Sequence, residues 1–173
     1  MSVRSVAVWL FLICGWFSVQ ASAAEWTVIR VYDGDTLKAE GYGVEIKVRL
    51  AGIDAPETGK GKRNPGQPYG EKARQFLSRM VLNQKVVLDG YGIEPYNRQL
   101  AVVSIAGNIV NLELVRGGLA EVYRGRPPRG FDLGPYQAAE REASHARRGI
   151  WSLSPGQYTS PRDWRKTHSR NSR

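Results

Sequence analysis

Cysteine is all but missing from the 173 residues: the single one, Cys14, lies in an apolar N-terminal stretch, which excludes disulfide scaffolding and thiol catalysis for the rest of the chain. Histidine is scarce, with two residues, and no Cys/His spacing of the zinc type occurs. His145 sits in a helical pattern without a partner and reads as a surface or structural residue. There is no P-loop, dinucleotide fingerprint, Gly-x-Ser-x-Gly elbow or internal repeat, so the chemistry those motifs bring is excluded. Acidic residues are few beside basic ones, 16 against 25, for a formal net charge of +9. A small basic protein attracts polyanions, nucleic acid first among them, although such charge also serves plain solubility or adhesion to an anionic surface.

The one long apolar run, residues 6–17, follows Arg4 and precedes the small residues Ala21, Ser22 and Ala23. That is the layout of an export signal, and the run is too short to favour a permanent membrane span. Ile13 directly before Cys14 argues against a lipoprotein anchor. The expected organisation is a signal peptide over residues 1–23, one domain over 24–151, and a basic flexible C-terminal tail over 152–173 whose composition turns to Ser, Pro, Arg and Lys. The expected location is the periplasm or the extracellular medium, as a monomer without stable membrane association after cleavage.

What the chain does have is concentrated in residues 31–58, VYDGDTLKAEGYGVEIKVRLAGIDAPET. Asp33-Gly34-Asp35 interrupts a β-branched run and leads by a tight turn into a second strand. Val44, Ile46, Val48 and Leu50 then alternate with Glu45, Lys47 and Arg49, which places Arg49 on the non-core face of a third strand. Gly52 and Pro56 end that strand and hold Asp54 and Glu57 at its terminus. If these strands are hairpin neighbours, Asp35 and Asp54 converge at one end of the sheet. Carboxylates brought together repel unless a proton or cation intervenes, and a hard divalent cation with oxygen ligands suits them; calcium fits, while manganese or magnesium could use the same oxygens. Taken singly, Asp-Gly and Asp-Ala-Pro are ordinary turn sequences, and Asp33 reads as the cap of its own turn with only secondary support at a metal.

The remaining pattern supplies a fold. Ala73, Phe76, Leu77, Met80 and Val81 recur at helical spacing; residues 85–88 and 100–105 read as two further strands, closed by a turn at Ala106 and Gly107. Asn111 is placed as a helix N-cap, with Val110 and Val115 as its hydrophobic staple, and Gly117-Gly118 as the stop. A last helix carries Tyr136, Ala139, Ala143 and Ala146 on one side, with Ile150 and Trp151 packing back after Gly149. The expected class is α+β, mainly β: a five-stranded OB-fold barrel with three helices, one of them between the third and fourth strands. Residues 58–68 read as a mobile loop in which Lys60, Lys62 and Arg63 could guide a phosphate backbone.

DGDT, VRLAGIDAPET, PYGEKAR, YNRQLAVV and LVRGGLAEVY follow one another in an order that resembles the thermonuclease family over roughly residues 26–151. The resemblance implies a calcium ion held by Asp35, Asp54 and the Ala55 backbone carbonyl. It implies Glu57 orienting or deprotonating the attacking water, and Arg49 and Arg98 contacting the scissile phosphate. Two positions depart from the family pattern: Ala55 replaces a Thr, and the run Glu94-Pro95-Tyr96-Asn97-Arg98 replaces an Asp-Lys/Arg-Tyr-Gly-Arg sequence. Tyr123 resembles family tyrosines beside the nucleotide, offset by one residue.

The activity so implied is calcium-dependent endonucleolytic hydrolysis of DNA and RNA with little sequence preference, leaving 3′-phosphorylated products. Two other classes compete: an OB-fold that binds single strands without cutting them, and an envelope protein whose charge meets anionic lipid or glycan. A pure binder has no need of clustered carboxylates, which repel phosphate, so retention of Asp35, Asp54, Glu57, Arg49 and Arg98 favours the enzyme.

Overall fold

The computed structural model of the chain describes residues 24–59, 61 and 65–168. The expected export signal, the basic residues Lys60, Lys62 and Arg63, and residues 169–173 lie outside the described residues.

β1 (Glu25–Val31), β2 (Thr36–Gly41) and β3 (Val44–Leu50) form an antiparallel meander, followed by the two-residue β4 (Ile53–Asp54) and helix α1 (Gly70–Val81). β5 (Lys85–Glu94) and β6 (Arg98–Ile105) make a long hairpin, followed by β7 (Asn108–Ile109), α2 (Val110–Arg116), β8 (Glu121–Val122) and α3 (Gly134–His145). A 3-10 turn (Gly149–Ser152) and helix α4 (Pro161–His168) complete the order. The long strands run β3-β2-β1-β5-β6, and a parallel pairing of β3 with β6, Val48 opposite Gln99 and Leu50 opposite Ala101, closes them into a five-stranded mixed barrel. The fold is therefore the mainly-β OB-like barrel expected, with four α-helices among the described residues where three were expected.

Alternation along the strands fills the barrel: Val28, Leu37, Val48, Leu50, Val86, Ala101 and Val103 are all 1 % exposed or less. α1 covers this core with Ala73, Leu77 and Val81, while Phe76 and Met80 pack at its margin, as the helical spacing predicts. Each of the large buried aliphatics is worth on the order of 2–5 kcal/mol against truncation to Ala. Gly34 lies where a Cβ would meet Ala73 Cβ at 2.6 Å and Ala55 Cβ at 2.7 Å, so the turn before β2 reaches α1 only because position 34 has no side chain.

Four expectations are corrected. Asn111 is not a helix cap: it lies inside α2, fully buried, and its side chain accepts from Val103 N at 2.9 Å and donates to Ala51 O at 2.9 Å and Ala101 O at 3.2 Å. With Ala51 N donating to Ala101 O at 2.7 Å, it ties the strand ends where the barrel closes. β5 and β6 are longer than residues 85–88 and 100–105, because cross-strand pairing persists past Gly90 through a register shift as far as Glu94 and Arg98. Residues 161–168, expected within a flexible tail, form α4. Ala146, expected on the same side of the last helix as Tyr136, Ala139 and Ala143, lies beyond the end of α3 at His145 and is exposed, while those three are buried. Among the described residues no helix is long and apolar enough to cross a membrane.

Candidate active site

Asp35 ends the turn entering β2, Arg49 lies opposite Thr36 on β3, and Asp54 belongs to β4 just beyond. The turn is set locally: Asp33 Oδ1 accepts from Asp35 N at 3.1 Å, an Asx-type bond. Leu50 N donates to Asp35 O at 2.8 Å, which locks the turn to the end of β3. Arg49 then bridges the two carboxylates, Nη1 to Asp35 Oδ1 at 2.6 Å and Nη2 to Asp54 Oδ1 at 2.9 Å. Asp35 also accepts from Thr36 Oγ1 at 3.0 Å and, through Oδ2, from Ala55 N at 2.9 Å. Both carboxylates are nearly inaccessible, 3 % and 4 % exposed, so their charges survive burial only because they are paired. Burial works against the Arg49 charge, but Asp35 and Asp54 more than offset it and raise its pKa. Burial, then the charge of Asp35, pushes Asp33 up to about 7.

Glu57 is positioned through its backbone. Gln67 N donates to Glu57 O at 2.9 Å, and Glu57 N donates to Gln67 Oε1 at 2.9 Å. Gly70, at the start of α1, presses against the same carbonyl: a Cβ there would stand 2.2 Å from Glu57 O. The Glu57 side chain is 30 % exposed, free enough to meet a ligand.

Arg98 opens β6 across the hairpin from Glu94, whose Oε2 lies 2.8 Å from Arg98 Nη2 and whose Oε1 lies 4.0 Å from Arg49 Nε. Tyr96 and Asn97 take successive left-handed conformations, φ 80° and 54°, so the departing hairpin sequence still turns tightly and starts β6 at Arg98. Arg49, Glu57, Arg98, Glu94, Lys47, Tyr123 and Arg165 together line a cleft of about 400 Å³. A smaller recess of about 220 Å³, walled by Tyr91, Leu100, Tyr123 and Arg126, adjoins it through Arg49 and Glu94. The expected catalytic set thus shares one cleft, with Asp35 and Asp54 bound to its Arg49.

Arg165 enters this site from α4. Its Nη1 donates to Asp54 Oδ1 at 2.9 Å and to Glu57 Oε1 at 2.8 Å, and its Nη2 to Asp54 Oδ2 at 2.6 Å. Sequence reasoning missed Arg165, Gln67 and Glu94. A local signal for α4 did exist: Ser160-Pro161-Arg162-Asp163 reads as a helix start, and Ser160 Oγ accepts from Asp163 N at 3.1 Å and donates to Asp163 Oδ2 at 2.9 Å.

Among the described residues no three acidic, His or Cys side chains stand together as a finished metal cage. The donor set nonetheless fits a hard cation. Asp35 and Asp54 offer buried carboxylate oxygens that converge on guanidinium groups, and Arg165 shows that a cation is accepted between Asp54 and Glu57. Ala55 contributes its amide to Asp35, which places its peptide beside the same carboxylate.

A sequence model of the family described as staphylococcal nuclease homologue matches residues 47–153. The thermonuclease of Staphylococcus hyicus is 36 % identical over 134 residues, 76 % of this chain and 78 % of that protein. An uncharacterized endonuclease of Haemophilus influenzae is 34 % identical over 146 residues, 83 % of this chain and 74 % of that protein. The probable endonuclease LCL3 of Verticillium alfalfae is 37 % identical over 131 residues, and there the match spans 71 % of this chain but 45 % of the longer relative.

Proposed function

Because the chain belongs to the staphylococcal nuclease family and is a phosphodiester-hydrolysing nuclease, we propose that it is an exported, calcium-dependent endonuclease. It acts as a monomer on DNA and RNA with low sequence specificity and leaves 3′-phosphorylated ends. The observation that supports this reading most directly is the single cleft in which Arg49, Glu57 and Arg98 face one another beside two buried carboxylates.

Asp35, Asp54 and the Ala55 carbonyl would hold the calcium, whose chemistry when bound is Lewis-acid polarisation of a phosphate oxygen. Arg49 and Arg98 bind the phosphate and meet the negative charge that accumulates on its oxygens in the transition state. Arg49 is held in place for that task by Asp35 and Asp54, and Arg98 by Glu94, so neither guanidinium has to be ordered at the moment of reaction. Glu57 takes the proton of the attacking water, its backbone held by Gln67 and Gly70. The 5′ oxygen leaves, and the phosphate stays on the 3′ side. Phosphate contacts contain no base information, which accounts for the low specificity; Tyr123 and Tyr91 offer rings against which any base can stack.

The test is digestion of single-stranded DNA and RNA with calcium, with excess chelator, and by Glu57→Gln. Cleavage that needs both calcium and Glu57, with 3′-phosphate ends, supports the reading. Tight binding without cleavage under every metal tried would make the chain a single-strand binder instead.

A further inference from the structure

Both oxygens of Asp54 are engaged: Oδ1 accepts from Arg49 and Arg165, and Oδ2 from Arg165. Of these two cations Arg49 is built into the barrel, on a strand paired on both sides, with a side chain only 12 % exposed. Arg165 comes from elsewhere. It rides on an eight-residue helix in which only Pro161 is buried, and its side chain is 39 % exposed. α4 is docked by few contacts: Gln67 Nε2 donates to Thr159 O at 2.9 Å, Tyr158 OH donates to Glu121, and the Tyr158 ring leans on Trp151 with centroids 5.7 Å apart.

A divalent cation on Asp54 would compete with Arg165, which already takes both oxygens of that carboxylate and Glu57 Oε1 as well. From this we propose that the C-terminal segment is a strap whose Arg165 acts as a tethered competitor for the metal: it occupies Asp54 and Glu57 when no divalent cation is bound and must lift for the site to load. This rests on the metal reading given above and adds its regulation. The docked strap sets one guanidinium between Asp54 and Glu57 and so offsets the repulsion between these two carboxylates. It also engages Glu57 Oε1. The cost falls on apparent affinity, since a cation binds only the fraction of molecules whose strap is off, and a strap docked about 90 % of the time weakens binding about tenfold. Gln67 links the two halves of the switch, as it holds the Glu57 backbone with one end of its amide and the strap's Thr159 with the other.

The test is calcium titration by calorimetry of the wild-type chain and Arg165→Ala, with Asp54→Asn as the control for the site, and hydrogen exchange of residues 159–168 with and without calcium. Arg165→Ala should bind calcium about tenfold more tightly than the wild type, and saturating calcium should speed exchange in α4 of the wild-type chain. Equal affinities with unchanged exchange in α4 would overturn the strap while leaving the metal site intact. Calcium binding that survives Asp54→Asn, or is absent from every protein, would instead overturn the metal reading and the strap with it.

Discussion

Arg49 donates to Asp35 at 2.6 Å, and the same guanidinium reaches Asp54 at 2.9 Å, so one strand residue bridges two carboxylates that are each almost fully buried. Arg49→Ala should therefore act twice. In chelator it should lower stability by about 3–5 kcal/mol, the usual consequence of stranding a buried charge, and added calcium should restore part of that loss. Turnover in calcium should fall by about 10²–10³-fold, as when one preorganised donor to a developing anion is removed. Urea unfolding with and without calcium, beside single-turnover cleavage, reads both; unaltered stability in chelator would show that the pair contributes nothing.

Gly70 tests the backbone positioning of Glu57. With its Cβ at 2.2 Å from Glu57 O, Gly70→Ala must push that peptide away or shift the start of α1. Turnover should drop about 10²-fold while calcium affinity changes little, because the displacement falls on Glu57 rather than on Asp35. A parallel loss of calcium binding would mean that the whole segment 54–57 moves as one.

Asn111 tests the barrel closure. Asn111→Leu is close in volume but leaves Val103 N and Ala51 O without their side-chain partner in a buried place, at a cost of about 2–4 kcal/mol. Chemical denaturation should show the loss as a lower midpoint with an unchanged slope. A wild-type midpoint would assign the closure to the Ala51–Ala101 backbone bond alone.

Stability should also depend on pH through Glu121. Burial raises its carboxyl from 4.5 to about 7; Arg124 opposes the rise, and Asp54, Glu140 and Asp163 add to it. The folded chain then keeps a proton that the unfolded chain has released, so this stabilisation is complete below about 4.5 and is lost as pH rises through about 7. Asp33, also raised to about 7, acts in the same direction. Unfolding free energies at pH 5 and pH 8 should differ by on the order of 2 kcal/mol from Glu121, and Glu121→Gln should remove that share and leave the part due to Asp33. An identical pH dependence in the variant would clear Glu121 of the effect.

Residues close in sequence disclosed their positions without a structure. The period-two face of β3 placed Arg49 on the non-core side, the Asp-Gly-Asp turn and the Ile53-Asp54-Ala55-Pro56 strand end placed the carboxylates, and the helical spacing of Ala73, Leu77 and Val81 marked the covering helix. These signals are legible because strand, turn and helix geometry act over a few residues. Asn111 misled for the same reason: its type suits a helix cap, and only the approach of Ala51 and Ala101 from distant strands gives its amide three buried partners. Glu94 could be assigned to Arg98 only once the hairpin register was known.

By itself, then, the sequence determined the barrel class, the carboxylate-bearing turns and the family, since local periodicity and contiguous motifs suffice for those. The tertiary structure alone decided the parallel closure of β3 on β6 and the arrival of Arg165 at Asp54, 111 positions away in the chain. No period or motif encodes such a meeting. It depends on where a closed barrel puts its C-terminal segment, and on the free energy a buried carboxylate gains from whichever cation reaches it.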